Sequence, residues 1–299
     1  MSATQTLTWG ERQQQFYDTR PHAHLRYSPG SLYAKHLVER LLHTAHIQPG
    51  SRVLEVGCGA GRFTLPLLQH MRGVLTAFDL SETLLGHLRR HLAEGSPPPG
   101  SVCEMVSGDI HRLESIFGPD RFDAVIGFFF LHHMADLRAV VRQMRLVLRP
   151  SGRMVFVEPN RRNPLFALQV LCCPDMSWSQ ERGMFTLGRR KIREAFCAEG
   201  MRTPTLETFG AFPPQVLEWW PWTLSLQRRI EQWAVCRPVL PFRLISSTPV
   251  EPHPSALGSP HGLPAASTGA GGVPAEESRL PERPLPTALA VAPGVVDTR

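Results

Sequence analysis

Short apolar segments alternate with helical patterns along most of the chain, and this alternation limits the folds open to it more than any other feature. The predicted strands span 52–56, 73–79, 101–107, 122–129, 153–158, 202–209 and 242–247. The predicted helices span 32–43, 62–71, 81–93, 136–148 and 187–199, with Ser81 and Asp136 as N-caps. Strands joined by helices at this spacing form a parallel sheet with right-handed crossovers. The sequence therefore predicts an α/β fold with a doubly wound, mostly parallel sheet.

The chain is expected to divide into a cap, a central domain and a tail. Residues 1–50 are predicted to form an N-terminal helical cap, and residues 51–248 the ligand-binding domain. Two segments, 160–186 and 211–240, interrupt the alternation, and insertions at strand ends of such sheets are where substrates are held. Residues 249–299 contain ten Pro and six Gly without any aromatic residue. That composition predicts a disordered tail.

Composition narrows the function classes. The longest apolar run, 124–134, is too short to span a bilayer, and the first residues lack the order of a signal peptide. The net charge of +6 comes almost entirely from scattered arginines without interleaved aromatics, so no nucleic acid partner is expected. The six cysteines show no ligand spacing, so no metal is expected. A cytoplasmic protein is predicted.

The first predicted strand runs directly into a glycine-rich loop. Its sequence is Glu55-Val56-Gly57-Cys58-Gly59-Ala60-Gly61. Glycine is needed where the turn into a helix requires a positive φ and where a ligand lies against bare backbone. The dinucleotide-binding pattern requires a further glycine at the position that Arg62 occupies. The spacing therefore departs from that of NAD-binding proteins.

Carboxylates stand at the ends of three successive predicted strands. They are Glu55, Asp79 and Asp109, the last of which follows Gly108. A carboxylate at the end of the second strand is placed to accept hydrogen bonds from both hydroxyls of a ribose. An acidic rim suits a ligand with a cationic sulfonium and an amino group better than it suits a pyrophosphate. This favours S-adenosylmethionine (SAM) over NAD.

Five sequence motifs occur in order along the chain: VLEVGCGAGRFT, FDLSETLL, SGDI, FDAVIGFFFLHHMAD and VLRPSGRMVFVEPN. Together they resemble the successive motifs of class I, Rossmann-like SAM-dependent methyltransferases. They are most similar to the branch that contains ubiquinone- and menaquinone-biosynthesis enzymes and many small-molecule methyltransferases. The resemblance covers residues 31–160 well and 187–248 in outline.

The resemblance implies a cofactor-binding role for particular positions. Gly57, Gly59 and Gly61 would flank the methionine part of SAM, and the backbone of Phe128 would border its amino group. The other roles belong to residues at the ends of the second and third strands. Asp79 would bind the ribose and Asp109 the adenine amino group. Leu80 and Ile110 would lie on the two faces of the adenine ring. The cofactor-binding set that we predict also includes Glu55, Cys58 and Gly108.

Candidate catalytic and substrate residues follow the fourth and fifth predicted strands. His132 or His133 is a candidate base for an acceptor that must lose a proton, because histidine titrates near neutral pH. The alternative is that these histidines close the loop by hydrogen bonds to the backbone or to Asp136. Glu158, Asn160 and Arg161 are candidates for the substrate pocket, and Arg161 with its neighbour Arg162 suits a phosphate or a carboxylate.

Four tryptophans crowd into fifteen residues of the segment 211–240, at positions 219, 220, 222 and 233. Trp219 and Trp220 are candidate substrate contacts. Helical spacing puts Trp222, Leu226, Ile230 and Trp233 on one face, with Arg228, Arg229, Glu231 and Gln232 opposite. Two interpretations remain open: a cap packed on the core, or an apolar lid over a long substrate that also contacts the inner face of a membrane.

The sequence thus predicts a methyltransferase that moves a methyl group from SAM to an oxygen, nitrogen or carbon of a small molecule or lipid by in-line displacement. Two other functions stay open, namely a SAM-binding partner protein without turnover and, less favoured, an NAD-dependent oxidoreductase. The sequence leaves open the acceptor, the need for a base and the oligomeric state.

Overall fold

The computed structural model describes residues 31–95, 98–164, 183–212 and 214–250. The strands are β1 (Ser51–Val56), β2 (Gly73–Asp79), β3 (Ser101–Ser107), β4 (Phe122–Phe128), β5 (Leu148–Pro159), β6 (Thr205–Phe209) and β7 (Phe242–Ser247). The helices are α1 (Leu32–Ala45), α2 (Thr64–His70), α3 (Glu82–Glu94), α4 (Leu113–Phe117), α5 (Leu137–Val147), α6 (Arg189–Ala198), α7 (Pro214–Trp219) and α8 (Thr223–Gln232).

All seven strands form one sheet in the order β3-β2-β1-β4-β5-β7-β6. The first five strands pair in parallel, whereas β7 pairs antiparallel with both β5 and β6. The central strands are buried on both faces, as their nearly continuous apolar sequences require. The predicted doubly wound, mostly parallel fold is confirmed.

Two apolar cores lie on opposite faces of the sheet. One contains Leu37 of α1, Leu67 of α2 and Leu85 of α3. The other contains Met144 of α5 and Phe196 of α6. Because helices cover both faces, the strand ends are left as the edge at which a ligand can reach polar groups.

The predicted bounds hold closely where a local signal sets them. Ser81 accepts a hydrogen bond from Leu84 N and caps α3, and Asp136 accepts one from Ala139 N and caps α5. The strand predicted at 153–158 begins earlier, at Leu148, because that residue already pairs with Phe122 of β4. Long-range pairing of this kind leaves no local signal.

The structure describes only part of the predicted N-terminal cap and only part of the predicted tail. Within the N-terminal cap, α1 packs against β5, β7 and α7, and residues 1–30 lie outside the described residues. At the other end, Pro249 bridges to Met201 and Val250 N donates to Gly200 O. The boundary predicted at 249 is therefore too early, because Pro249 and Val250 still pair with the domain, and the disorder of the rest of the tail, which lies outside the described residues, stays a prediction.

Helix α8 has the opposite orientation from the one that its apolar pattern suggests. Its buried residues are polar, Thr223 and Gln227, whereas Trp222, Leu226 and Trp233 are exposed. The segment is thus a cap that packs on the core through Leu217 of α7 and Phe212, whereas its four tryptophans are exposed.

Candidate functional site

The loop between β1 and α2 is built from three left-handed glycines. Gly57, Gly59 and Gly61 have φ values of 69°, 54° and 88°. A Cβ at Gly57 would lie 2.4 Å from the Phe130 ring, and one at Gly61 would lie 2.4 Å from Leu88 Cδ1. Among the described residues, a Cβ at Gly59 would meet nothing nearer than 4.0 Å, so its backbone conformation is what requires glycine there. The loop thus combines close packing on one side with open backbone at Gly59.

The carboxylate of Asp79 ties the end of β2 to this loop. Its Oδ2 accepts a hydrogen bond from Gly59 N at 2.7 Å, and its Oδ1 accepts one from Ser81 N at 2.9 Å. Asp79 and Leu80 are both half-buried at the carboxyl edge of the sheet. The negative charge is therefore fixed beside the open backbone of Gly59.

The end of β3 lies directly beside the end of β2. Gly108 N donates to Asp79 O at 3.0 Å, and a Cβ at Gly108 would lie 2.9 Å from Ile116. Asp109 is exposed and accepts a hydrogen bond from His111 N, while Ile110 is half-buried. The structure thus brings the predicted ribose and adenine residues together at neighbouring strand ends.

Glu55 lies under the glycine loop rather than on an exposed rim. It is 2% exposed and accepts a hydrogen bond from Thr64 Oγ1 at 2.7 Å. Burial raises the pKa of Glu55 to about 7, the Thr64 hydrogen bond opposes this shift, and the Asp79 carboxylate adds to it. Cys58 is also buried, and burial raises the pKa of its thiol well above the ordinary value. Glu55 therefore lies beneath the glycine loop and supports it from the protein interior.

Glu158, at the end of β5, is a buried anchor for the loop after β4. Its Oε1 accepts hydrogen bonds from Phe130 N and Leu131 N, and its Oε2 lies 2.7 Å from His132 Nδ1. The Glu158 side chain is fully buried and that of His132 is 2% exposed. The expectation that Glu158 contacts substrate is therefore corrected, because its side chain is fully buried and binds the protein's own loop.

The two candidate histidines lie in different environments. The 3-10 turn Leu131–His133 buries His132 and leaves His133 half-buried, with the two rings 4.0 Å apart. Asp136 caps α5, whereas His132 binds Glu158. His132 therefore closes the loop by a hydrogen bond, as in the alternative interpretation. Its partner is Glu158, however, and not the backbone or Asp136.

The other candidate substrate residues separate into buried and exposed ones. Asn160 is 1% exposed, and its amide binds Pro238 O, Leu240 O and Arg243, so its predicted contact with substrate is corrected as well. Arg161 is exposed and donates to Phe185 O. Trp219 and Trp220 are 69% and 50% exposed.

Aromatic rings surround the glycine loop, and of these only Phe128 was selected from the sequence. Phe63 stacks on Phe128 with ring centroids 4.2 Å apart, and the ring of Phe130 lies against Gly57. Phe129 between them has a φ of 54°, which is rare for a bulky residue and costs free energy. The sequence signal that could have identified these rings is the run of three phenylalanines at the end of a buried strand. These rings form an apolar wall beside the loop.

A polar cleft of about 430 Å³ opens at the opposite, amino edge of the sheet. Gly50, Asp123 and Arg153 are among its lining residues. None of the predicted site residues lines it. Ligands of open parallel sheets bind outside the carboxyl ends of the strands, so we place the candidate site at the glycine loop.

Residues 53–152 match the methyltransferase domain family. This segment is a methyltransferase domain. It runs from β1 into β5 and contains the glycine loop, Asp79, Asp109 and both histidines. The recognition made from the motifs is confirmed for this part of the chain.

Relatives with known names cover part of the chain. An ubiquinone biosynthesis O-methyltransferase of Xanthomonas campestris is 32% identical over 125 residues, which are 41% of this chain and 49% of that protein. A demethylmenaquinone methyltransferase of Shouchella clausii is 27% identical over 54% of this chain and 75% of that protein. A phosphatidylethanolamine N-methyltransferase of Cereibacter sphaeroides is 34% identical over 42% and 60%. The chain thus spans about half the length of the first of these relatives.

Solved structures share the fold at low sequence identity. A [4+2]-cyclase superposes with a TM-score of 0.57 at 16% identity, over 84% of this chain and all of that one. A phosphoethanolamine N-methyltransferase of Haemonchus contortus superposes with a TM-score of 0.55 at 15% identity, over 82% and 61%. Because one of these proteins is a cyclase, the fold by itself does not determine the reaction.

Replacing Glu55 by Gln tests the buried carboxyl under the loop. The folded-state pKa of about 7 lies above the ordinary 4.5, so the stability that protonated Glu55 provides is complete below about pH 4.5 and is lost as the pH rises through 7. Relative to wild type, Glu55→Gln should therefore gain up to about 3 kcal/mol of unfolding free energy between pH 4.5 and 7, and level off above. Urea unfolding at several pH values measures this. A wild-type-to-variant difference that is independent of pH would contradict the assignment.

Proposed function

We propose that this protein is a SAM-dependent methyltransferase that transfers a methyl group to an oxygen, nitrogen or carbon of a small-molecule or lipid acceptor. The observation that carries the proposal is the position of Asp79. Its carboxylate is bonded to the open backbone of Gly59, at the carboxyl edge of the sheet, inside the segment that matches the methyltransferase domain family. A SAM-binding protein without turnover and an NAD-dependent oxidoreductase are the functions to be tested against it.

The residues at this edge fit SAM. The open face of Gly59 and the left-handed loop suit the methionine part, Asp79 suits the ribose, and Asp109 suits the adenine amino group. When bound, SAM supplies a methyl group on a cationic sulfonium. The buried Glu55 and the Asp79 carboxylate both favour a cation at this place.

The chain's own contribution is alignment of the acceptor and exclusion of water. The apolar wall of Phe63, Phe128 and Phe130 borders the loop and keeps water away. Glu158 holds the backbone of the loop after β4 in place, and its bond to His132 fixes that ring. His132 is thus a positioning residue, and the half-buried His133 is the candidate to take a proton from the acceptor.

The relatives suggest which acceptors to test first. Their names point to quinones of the ubiquinone and menaquinone type and to phosphatidylethanolamine, which all combine a polar head with a long apolar part. For this chain we propose an acceptor with the same combination. Nothing in the charge pattern favours nucleic acid.

Contact with a membrane is part of this proposal, and α8 supports it. Gln227 Oε1 accepts hydrogen bonds from Ala211 N and Phe212 N, and its Nε2 lies 3.1 Å from His36 Nε2. These bonds hold the side of α8 that carries Thr223 and Gln227 inward and leave Trp222 and Leu226 exposed. The resulting tryptophan surface consists of Trp219, Trp220, Trp222, Leu226 and Trp233.

The charges around the tryptophan surface suit an anionic lipid. Arg228 and Arg229 are exposed on α8, and Arg237 is exposed just beyond it. The acidic side chains of the same segment are engaged elsewhere: Glu218 binds Ser31 and Tyr33 N, and Glu231 binds Arg40. Tryptophan is favoured at the boundary between lipid and water. No helix in the described part of the chain is long and apolar enough to cross a bilayer.

Replacing Asp79 by Ala tests the cofactor. About two charge-assisted hydrogen bonds to the ribose would be lost, so the affinity for SAM should fall by roughly 2–4 kcal/mol. Calorimetry with SAM, its demethylated product and NAD in parallel measures this and separates the two SAM-binding functions from the oxidoreductase. Asp123→Asn is the control, since that carboxylate binds Arg52 N at the opposite edge of the sheet. Binding of NAD but not of SAM would overturn the proposal.

Variants of the two histidines separate catalysis from positioning. We expect His133→Ala to lower turnover about 10²-fold with normal SAM binding, because general-base catalysis contributes about that much. His132→Asn keeps a donor near Glu158 and should retain most activity, whereas His132→Ala leaves a buried carboxylate unpaired and should lower stability. Transfer of radioactive methyl groups to quinols and phospholipids is the measurement. Full activity of His133→Ala would show that alignment alone suffices.

The tryptophan surface is tested with vesicles. The protein should co-sediment with vesicles that contain phosphatidylglycerol at low salt and be released by salt, since each exposed arginine near the membrane adds about 1 kcal/mol. Trp219→Ala combined with Trp220→Ala should weaken this binding with little change in stability, because both side chains are exposed. Val102→Ser, at another exposed apolar residue, is the control. A loss of stability without a change in vesicle binding would contradict membrane contact.

A further inference from the structure

The N-terminus of α6 carries positive charge at the end of the helix where the helix dipole is also positive. The helix begins Arg189-Arg190-Lys191, has no acidic residue in its first turn, and follows Gly188, which offers no side-chain cap. Cations at this end of a helix are unfavourable, and the first backbone N–H groups are left without helical acceptors. An anion bound here would offset both effects.

A buried arginine points at the same place. Arg243, at the start of β7, is 3% exposed. Its two terminal nitrogens donate to Leu187 O, just before the helix, and to Asn160 Oδ1. Its Nε is buried and has no hydrogen-bond partner among the residues that the structure describes. A buried charged group with an unsatisfied donor is costly, so this nitrogen indicates a missing acceptor.

Other guanidinium groups converge on this end of α6. The Arg161 guanidinium carbon lies 3.4 Å from the place that a Cβ on Gly188 would take. Burial, followed by the charges of Arg189 and Arg161, lowers the pKa of Arg243 to about 10, and Arg162 acts in the same direction. Within the described ranges, none of these four arginines forms an ion pair with a carboxylate.

We propose that the N-terminus of α6, together with Arg161, Arg162, Arg189 and Arg243, forms a binding site for a phosphate group. Backbone N–H groups at a helix start and arginine forks are the two donor arrangements that suit phosphate oxygens best. Arg243 pairs in register with Glu158, the residue that holds His132. The site therefore lies beside the candidate active site, and the phosphate belongs to the methyl acceptor. This last step alone rests on the proposed function.

Phosphate binding to the full-length protein tests the site without any methyl transfer. Calorimetric titration with inorganic phosphate and with glycerol phosphate, at ionic strength held constant with KCl, should give saturable binding. Arg162→Gln and Arg189→Gln should each weaken it at least tenfold. Arg190→Gln is the matched control, because Arg190 lies in the same turn but is 91% exposed and paired with Glu194. It should change the affinity less than twofold.

Two results would overturn the site: no saturable phosphate binding, or equal weakening by all three variants, which would indicate charge alone. Co-sedimentation with phosphatidylglycerol vesicles then identifies the source of the phosphate. If Arg162→Gln and Arg189→Gln also weaken vesicle binding, the site takes a lipid headgroup, and if they do not, it takes a soluble phosphate. Phosphate binding that persists while SAM fails to bind would leave the site standing and remove the methyltransferase proposal.

Discussion

Three left-handed glycines within five residues are the constraint on which the rest of the candidate site depends. They turn the chain from β1 into α2 in the smallest possible space, and they leave the backbone of Gly59 uncovered. Asp79 then uses both carboxylate oxygens to hold this loop against the end of β2 and the start of α3. A side chain at Gly57 or Gly61 would displace Phe130 or Leu88 and would separate these elements.

Glu158 is a second polar anchor. It joins the loop after β4 to the end of β5, as Asp79 joins the loop after β1 to the end of β2. Glu158 accepts two backbone hydrogen bonds and contacts His132 in a fully buried position. Such a network is favourable only when every member is satisfied, so it specifies one conformation of the loop. That conformation includes the positive φ of Phe129, which the surrounding rings of Phe63 and Phe242 support. The candidate site is thus held by buried carboxylates at strand ends and by aromatic packing between them.

The sequence predicted the elements that local patterns determine. The bounds of β2, β3 and β7 and the caps at Ser81 and Asp136 agree with the structure, because strand periodicity and capping are short-range signals. The mostly parallel sheet followed from the alternation of strands and helices, whereas the strand order was not predicted. The grouping of Asp79 with the glycine loop followed from the rule that parallel strands end at one edge.

What the sequence could not predict depends on partners far away in the chain. Glu158 and Asn160 lie at the carboxyl end of β5, at positions that suggest a pocket, yet their hydrogen-bond partners come from the loop after β4 and from residues 238–243. The orientation of α8 is a similar case. Its amphipathic pattern favours burial of the tryptophans, but Gln227 binds the backbone at Ala211 and Phe212 and contacts His36. Satisfying buried polar groups outweighs the apolar pattern here.

The sheet register explains why the tryptophan surface and the arginine cluster belong to one region. Phe242 pairs with Phe209, the last residue of β6, and with Pro159, the last residue of β5. The segment 211–240 therefore leaves and re-enters the sheet at the carboxyl edge, where the glycine loop also lies. Arg243 follows at once, on the side of α6, whereas Leu217 of α7 packs into the core on the face that holds α1. The acceptor that we propose, with an anionic head and an apolar chain, would meet charge on one side of this edge and exposed tryptophans on the other.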